Sequence, residues 1–444
     1  MISIIGFIGI LLGMFAIGVM QLVLATALPY IVTEIGGNNL YSWVFTSYML
    51  SSLLTIPIFS KLADDFGKKK FYILGLGIFS VGTIYGSLAL TMSHLIIARV
   101  IQGLGAGIIT PVSLSLISDM FPEDKRGKMI GVFGLVQLLS NLLSPSLGNY
   151  ITKKLGWQWI FFITVIMVLL AVILAGIGIK QSKVNSKIRF SEIDIMGGIL
   201  FGGLCVLIVG FFNVISKHGK FDISVSLLLI GAIVTEFILT LNEKHHINPV
   251  IKIEFFKTKI IRRSVFSAIV AGAIMYGLIT ILPLCGIVLS RYDITLDGSQ
   301  ILFFFMIGIT LGLVVSSRLA MKLNSIVVTR VLWSAMCLSS MFILYFLSIG
   351  NLSMFTVLNV FIGLCIGGIM ANFLINSQNK VNSEYRTVLS GLIQLARYLG
   401  ASVGVAVLTS IVPEVKFISS ITQFLGAFGL LVVFSLVGLV NEIV

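Results

Sequence analysis

The chain has 444 residues, 57% of them hydrophobic and 11% charged, with a formal net charge of +13. A soluble domain carries about 25% charged residues, so this composition and a mean hydropathy of +1.10 exclude that class. The basic surplus sits in short stretches between long apolar runs, which marks a membrane topology and sets aside a nucleic-acid partner.

A helix of about 20 apolar residues crosses a hydrocarbon core about 30 Å thick. By that measure the sequence predicts an all-α membrane protein of fourteen spans. They fall at 4–33, 41–60, 71–92, 95–118, 128–152, 157–179, 194–215, 223–242, 264–289, 298–320, 326–348, 352–378, 387–412 and 418–441. The first run has neither a basic segment ahead of it nor a small-residue cleavage site, so it is expected to stay as a span. Between spans 2 and 3 lies SKLADDFGKKK, 60–70, in which six of eleven residues are charged. Its charges sit there because water does.

Orientation follows from Lys and Arg. That turn and every second loop after it hold most of the 30 basic residues. The opposite loops hold Lys153, Lys154, Lys217, Lys220, Arg291 and Lys416, while Arg99 and Arg397 fall inside spans. Both termini are therefore expected in the cytoplasm of a bacterial-type plasma membrane. Cys205, Cys285, Cys337 and Cys365 lie in apolar spans at unrelated spacings, which predicts neither a disulfide framework nor a metal site.

The chain also repeats itself. Ser60-Lys61-Leu62-Ala63 recurs as Ser317-Arg318-Leu319-Ala320, 257 positions on. Gly103-Leu104 and Gly107 recur as Gly363-Leu364 and Gly367, Arg126 as Arg386, and Gly131 as Gly391, all at an offset of 260. The expected organisation is an N-terminal six-helix half at 1–182, an inserted helix pair at 183–262 and a C-terminal six-helix half at 263–444. Parallel six-helix halves are a transporter design.

At these residues the chain resembles a known family. Leu62, Ala63, Asp64, Gly67, Lys68 and Lys69 match the loop G-x-L-A-D-R-x-G-R-K of the major facilitator superfamily, with Ser60 for its first Gly and Asp65 for its Arg. Ala98 to Gly103 resembles the R-x-x-Q-G of helix 4, and Trp157-Gln158-Trp159-Ile160-Phe161 the start of helix 6. Ile193 to Gly197 and Pro249 to Phe256 resemble the ends of an inserted helix pair, and Ser390 to Ala406 the helix 13 pattern. Together these are similar to the fourteen-helix drug:proton antiporters, of EmrB and quaternary-ammonium-pump type. The resemblance implies a major facilitator fold and proton-coupled export of amphipathic cationic or zwitterionic drugs, such as fluoroquinolones and ethidium-type dyes. The open alternative is a carrier for a small nutrient or metabolite on the same fold. Two departures stand out. Met20 occupies the place of the family's helix 1 acid, ahead of Ala27-Leu28-Pro29. The helix 5 antiporter motif G-P-x-x-G-G survives only as Ser144-Pro145-Ser146-Leu147-Gly148-Asn149, where Pro145 and Gly148 still provide a bend and close packing.

Candidate functional residues follow. By resemblance, Asp64, Lys68, Asp119 and Arg126 form a conformational latch at one membrane face; topology alone accounts for Lys69 and Lys70, though not for two adjacent acids. Arg99 is either a cavity-facing cation or an arginine snorkelling outward. Glu34 is the first candidate proton carrier and Asp297 the second, against a reading of both as plain surface acids. Gln21, Gln137, Asn141, Tyr276 and Asn376 either anchor drugs in an apolar pocket or glue helices together. No nucleotide-binding G-x-x-x-x-G-K-[ST] occurs, so a proton gradient is the expected energy source, with no cofactor. The expected partners are the lipid bilayer, small-molecule drugs and protons, with the monomer as the working unit. Nothing in the pattern calls for an enzyme.

Overall fold

The computed structural model describes residues 2–180, 194–218, 222–246, 253–289, 297–320, 323–349, 352–378, 386–412, 418 and 420–443. Fourteen α-helices run through them: α1 (Ile2–Ile35), α2 (Trp43–Phe66), α3 (Lys68–Ser87), α4 (Met92–Met120), α5 (Glu123–Leu155), α6 (Gln158–Gly178), α7 (Ile195–His218), α8 (Ile223–His245), α9 (Lys259–Leu289), α10 (Gly298–Ala320), α11 (Ser325–Ser348), α12 (Leu352–Gln378), α13 (Arg386–Ile411) and α14 (Leu425–Ile443). Each overlies one expected span, and eleven stretches among the described residues are long and apolar enough to cross a membrane. The start of α14 departs most from expectation. There Ser420 and Gln423 form a capping box on a short 3-10 turn, Ile421–Phe424, that leads into the helix.

The SKLADDFGKKK stretch is one hinge residue between two helices. Gly67 has φ of 110°, a value side-chain-bearing residues rarely adopt, and it lets α3 begin immediately after α2 ends.

The chain resolves into two compact units, Met1–Leu207 with Leu229–Ile251, and Ile208–Leu228 with Lys252–Val444. In the first, α1 packs on α5 and α6, and α4 packs on α2 and α3. The contact of α4 with α2 is backbone to backbone: a Cβ on Gly103 would strike Ser51 Oγ and the Tyr48 carbonyl, and one on Gly107 would strike Thr55 Oγ1 and the Ser52 carbonyl. Ser52 Oγ donates across this seam to the Gly103 carbonyl at 3.0 Å. Small residues let lipid-embedded helices approach closely, since burial from water supplies no driving force there.

The second unit repeats the scheme. In it α10 packs on α12, α9 on α13 and α11 on α14. Gly363 meets the Phe305 carbonyl and Gly367 the Ile309 carbonyl, so the glycines that recur at offset 260 make the same seam in both units. Gly131 and Gly391 recur too, yet nothing lies within 4 Å of a Cβ built on either. Their recurrence has no packing reason.

Of the inserted pair, α7 seats Gly198 against Ile58 and Gly202 against Leu54 of α2. Asp194, 2% exposed, accepts from Gly197 N at 2.7 Å and from Asn242 Nδ2 on α8 at 2.8 Å, pinning one end of the pair.

Candidate functional site

The strongest polar feature of the first unit is built around Arg99. Its side chain is 1% exposed, so it does not snorkel. Nε donates to the Val44 carbonyl at 3.1 Å, and an Nη donates to Gln102 Oε1 at 2.9 Å. Gln102 Nε2 passes the chain on to Thr83 Oγ1 at 3.0 Å, and Thr83 donates to the Phe79 carbonyl at 2.7 Å. The guanidinium lies over the Tyr48 ring, 4.1 Å from its centroid. One arginine thus stitches α2, α3 and α4. Its polar partners are all neutral, leaving a full positive charge balanced by dipoles and a ring quadrupole.

Glu34, at the end of α1, is exposed and sits elsewhere. Its carboxylate accepts from Trp157 Nε1 at 3.0 Å and from Gln158 Nε2 at 3.3 Å, where α6 begins. The structure therefore ties Glu34 to the WQW stretch and does not bring it to Arg99. Met20 is fully buried, and Thr164 Oγ1 on α6 lies 3.7 Å from its sulfur. Gln21, Gln137 and Asn141 are half-buried on α1 and α5. They flank a close contact in which Gly18 meets Ser140, and Gly148 meets Val23 and Thr26. Pro145 is buried inside α5 one turn before Gly148, and Ser144 donates to the Ser140 carbonyl. Ser140, Ser144 and Gly148, four residues apart, keep small side chains along that helix face, although two of the motif's three glycines are gone.

In the charged turn, Lys68 Nζ and Asp119 Oδ2 form an ion pair at 2.6 Å between α3 and α4. Lys69, expected to serve topology alone, donates to the Gly176 carbonyl in the last turn of α6 at 2.6 Å. A cation there satisfies one of the carbonyls a helix end leaves open. The side chains of Asp64 and Arg126 lie outside the described residues.

The second unit distributes its polar groups differently. Asp297 forms a capping box on α10: its Oδ1 accepts from Ser299 N at 3.2 Å and Gln300 N at 3.1 Å, and Gln300 Oε1 accepts from Asp297 N at 3.0 Å. Tyr276 is buried, edge-on to Tyr398 of α13 at 6.3 Å. Arg397 beside it is half-buried, bonds Gln394 one turn back at 2.5 Å, and leaves Nε buried without a partner. Asn376 lies apart from Tyr276, lining a crevice with Arg263, Thr329 and Glu442. On α9, Arg263 and Tyr276 are thirteen residues apart, about 20 Å at 1.5 Å per residue. Sequence reasoning missed Glu442, which is 6% exposed and accepts from Ser267 Oγ at 2.7 Å, because it sits one residue past the expected last span. Its signal was an Asn-Glu pair closing an otherwise uncharged run.

Fourteen helices among the described residues, eleven of them with stretches long and apolar enough to cross a membrane, one packing scheme used in both units and a cation held inside a span fit an integral membrane transporter. The profile of the Major Facilitator Superfamily matches residues 10–405, and the chain belongs to that superfamily, whose members are transporters rather than enzymes. The chain is 33% identical over 280 residues to "Multidrug resistance protein 3" of Bacillus subtilis (strain 168), an alignment covering 62% of this chain and 54% of that protein. With "Multidrug transporter protein MdtP" of the same organism it shares 26% identity over 419 residues, covering 91% and 74%. A crystal structure of the peptide transporter POT in complex with sulfate superposes with a TM-score of 0.72 at 16% identity, over 98% of this chain and 94% of that one, a likeness of fold alone.

Proposed function

We propose that the chain exports amphipathic cationic or zwitterionic drugs, of fluoroquinolone or ethidium type, by alternating access coupled to the proton gradient. Its place is a bacterial-type cytoplasmic membrane, as a monomer with both termini inside, in keeping with the Lys and Arg distribution. The multidrug relatives support the substrate class. The observation that carries the reading is Arg99, a permanent charge inside a span with neutral partners. At an effective dielectric of about 20, a second positive charge about 10 Å away is disfavoured by about 1.7 kcal/mol. A fixed cation disfavours a bound drug cation and a bound proton alike, so exchange in this reading rests on one carboxylate that neutralises the two in turn.

In this reading Glu34 carries the proton, since its carboxylate is exposed and held by two neutral donors. Asp297 stands second, because its capping box already occupies its carboxylate. Gln21, Gln137 and Asn141 in the first unit are polar anchors for drugs in this reading, as is Tyr276 in the second, with Asn376, which lies apart from Tyr276, a further candidate. Pro145 and Gly148 carry what remains of the antiport motif. Lys68 and Asp119 hold α3 to α4, and Asp64 and Arg126 complete the latch. With Met20 in place of the helix 1 acid, monovalent cations and zwitterions are transported better than long dications, whose second charge lacks a carboxylate.

Proteoliposomes loaded with a pH dye test this. Ethidium or norfloxacin added to one side should release protons from the other, and a protonophore should abolish drug accumulation. Proton-independent uptake of a small metabolite, without drug-driven proton movement, would turn the reading to the nutrient carrier.

A further inference from the structure

At one end of the second unit, the start of α9 and the end of α14 frame an open groove of about 800 Å³. Its rim is basic: Lys259 and Arg262 are exposed, and Arg263 is half-buried. Its floor is apolar, with Phe266 one turn further along α9 and Leu436 and Val440 on α14, all exposed at 40% or more. The only acid beside it among the described residues, Glu442, is already engaged by Ser267 and by the charges of Arg263 and Arg330. Among those residues Lys259 and Arg262 have no carboxylate partner, and Arg263 Nε is buried without an acceptor.

The charge and the grease are ordered along the helix axis. Basic side chains cluster where α9 begins, Asn441 Nδ2 holds the end of α14 there by the Arg263 carbonyl at 3.2 Å, and the apolar floor runs inward from it. Residues 433 and 440 of the floor are two turns apart, about 10 Å. An apolar face spared by every other helix, in a span that lies in hydrocarbon, is covered by acyl chain. An unneutralised basic rim at the level of the headgroups selects which lipid supplies it.

We propose that this groove is a binding site for one anionic phospholipid. Its phosphodiester is held by Lys259 and Arg262, and its acyl chain lies along Phe266, Leu436 and Val440. The site is independent of what the transporter carries.

The test is native mass spectrometry of the full-length protein in detergent, titrated with phosphatidylglycerol or with phosphatidylcholine of the same acyl chains. Phosphatidylglycerol should be retained at least tenfold better. A basic side chain near the headgroups contributes about fivefold in affinity, so Lys259→Gln with Arg262→Gln should weaken phosphatidylglycerol about 25-fold and leave phosphatidylcholine unchanged. Val440→Trp, which fills the groove and keeps the rim, should weaken both lipids. Equal retention of the two lipids by the wild type overturns the proposal, as does a double variant that binds like the wild type. Displacement of the lipid by an excess of inorganic phosphate also overturns it, reassigning the rim to a soluble anion. Should the double variant fail to fold, the wild-type lipid preference and the Val440→Trp arm still decide.

Discussion

Among the described residues, two arginines lie about two turns or more from either end of their helices, Arg99 and Arg397, one in each unit, and they are housed in opposite ways. Arg99 reaches out of α4 to the Val44 carbonyl and the Tyr48 ring on α2, and through Gln102 to Thr83 on α3. Arg397 finds its partners on its own helix: Gln394 one turn back and the ring of the adjacent Tyr398, at 5.6 Å. At the repeat offsets of 260 and 257, Arg99 corresponds to Asn359, Gln102 to Ile362, Tyr48 to Phe305 and Arg397 to Gln137. Asn359 is fully buried, donates to the Phe355 carbonyl at 2.8 Å and leaves Oδ1 unpartnered. The duplicated scheme therefore preserves glycine seams and discards polar networks. A charge tied to three helices fixes their arrangement, while Arg397 is held within its own helix and leaves one donor without an acceptor.

Six substitutions test this contrast. Arg99→Ala should have the largest effect: near-complete loss of drug export at equal expression. It should also bring a fall in thermal stability of about 1–3 kcal/mol, the cost of leaving Gln102 and the Val44 carbonyl unsatisfied. Arg99→Lys should rescue little, since an ammonium lacks the planar fork that serves carbonyl, amide and ring together. Normal export by the Ala variant would reduce Arg99 to ballast.

Next come the repeated glycines. Gly367→Ala should cost about 1–3 kcal/mol by forcing α12 off the Ile309 carbonyl. Gly391→Ala, with open space around it, should be neutral or stabilising by up to about 1 kcal/mol. Matching melting shifts for the two would show that the recurrence is not about packing.

Arg397→Gln should leave stability nearly intact, because it removes contacts confined to one helix, and reduce export severalfold. A melting shift as large as that of Arg99→Ala would erase the distinction between the two arginines. The smallest effect belongs to Asp119→Asn. A half-exposed ion pair contributes about 0–1 kcal/mol, so melting should barely move, and any slowing of turnover at unchanged drug affinity reports the latch.

The fourteen helices were legible because apolar length and basic turns are local signals. Gly103, Gly107, Gly363 and Gly367 were legible because a duplicated seam leaves a duplicated pattern. The housing of Arg99 was not. Val44 lies 55 positions away and Thr83 joins through Gln102, so only packing reveals whether the guanidinium meets lipid, water or protein. Glu34 closes the first span at about the depth where Arg99 opens the fourth, yet depth says nothing of direction, and the indole of Trp157 claims it. Asp297 read as a candidate proton carrier, although Asp-x-x-Gln ahead of an apolar run is equally a cap signature. Lys69 read as bulk charge because its acceptor is a backbone carbonyl, Gly176, with no side chain to advertise it.

Pro145 carries one more consequence. A proline inside a helix cannot donate to the carbonyl four residues back, and its ring crowds that carbonyl. In α5 that carbonyl belongs to Asn141, midway along the face that touches α1. The repeat places Val405 at the corresponding point of α13, where the ladder can run unbroken. Two helices that pack alike thus differ at this point: α5 lacks a ladder bond in the turn that presents Asn141, and α13 has no proline there. The second unit carries its own proline, Pro283, but inside α9, the helix on which α13 packs, so the two units place their proline joints in different members of the matching pair.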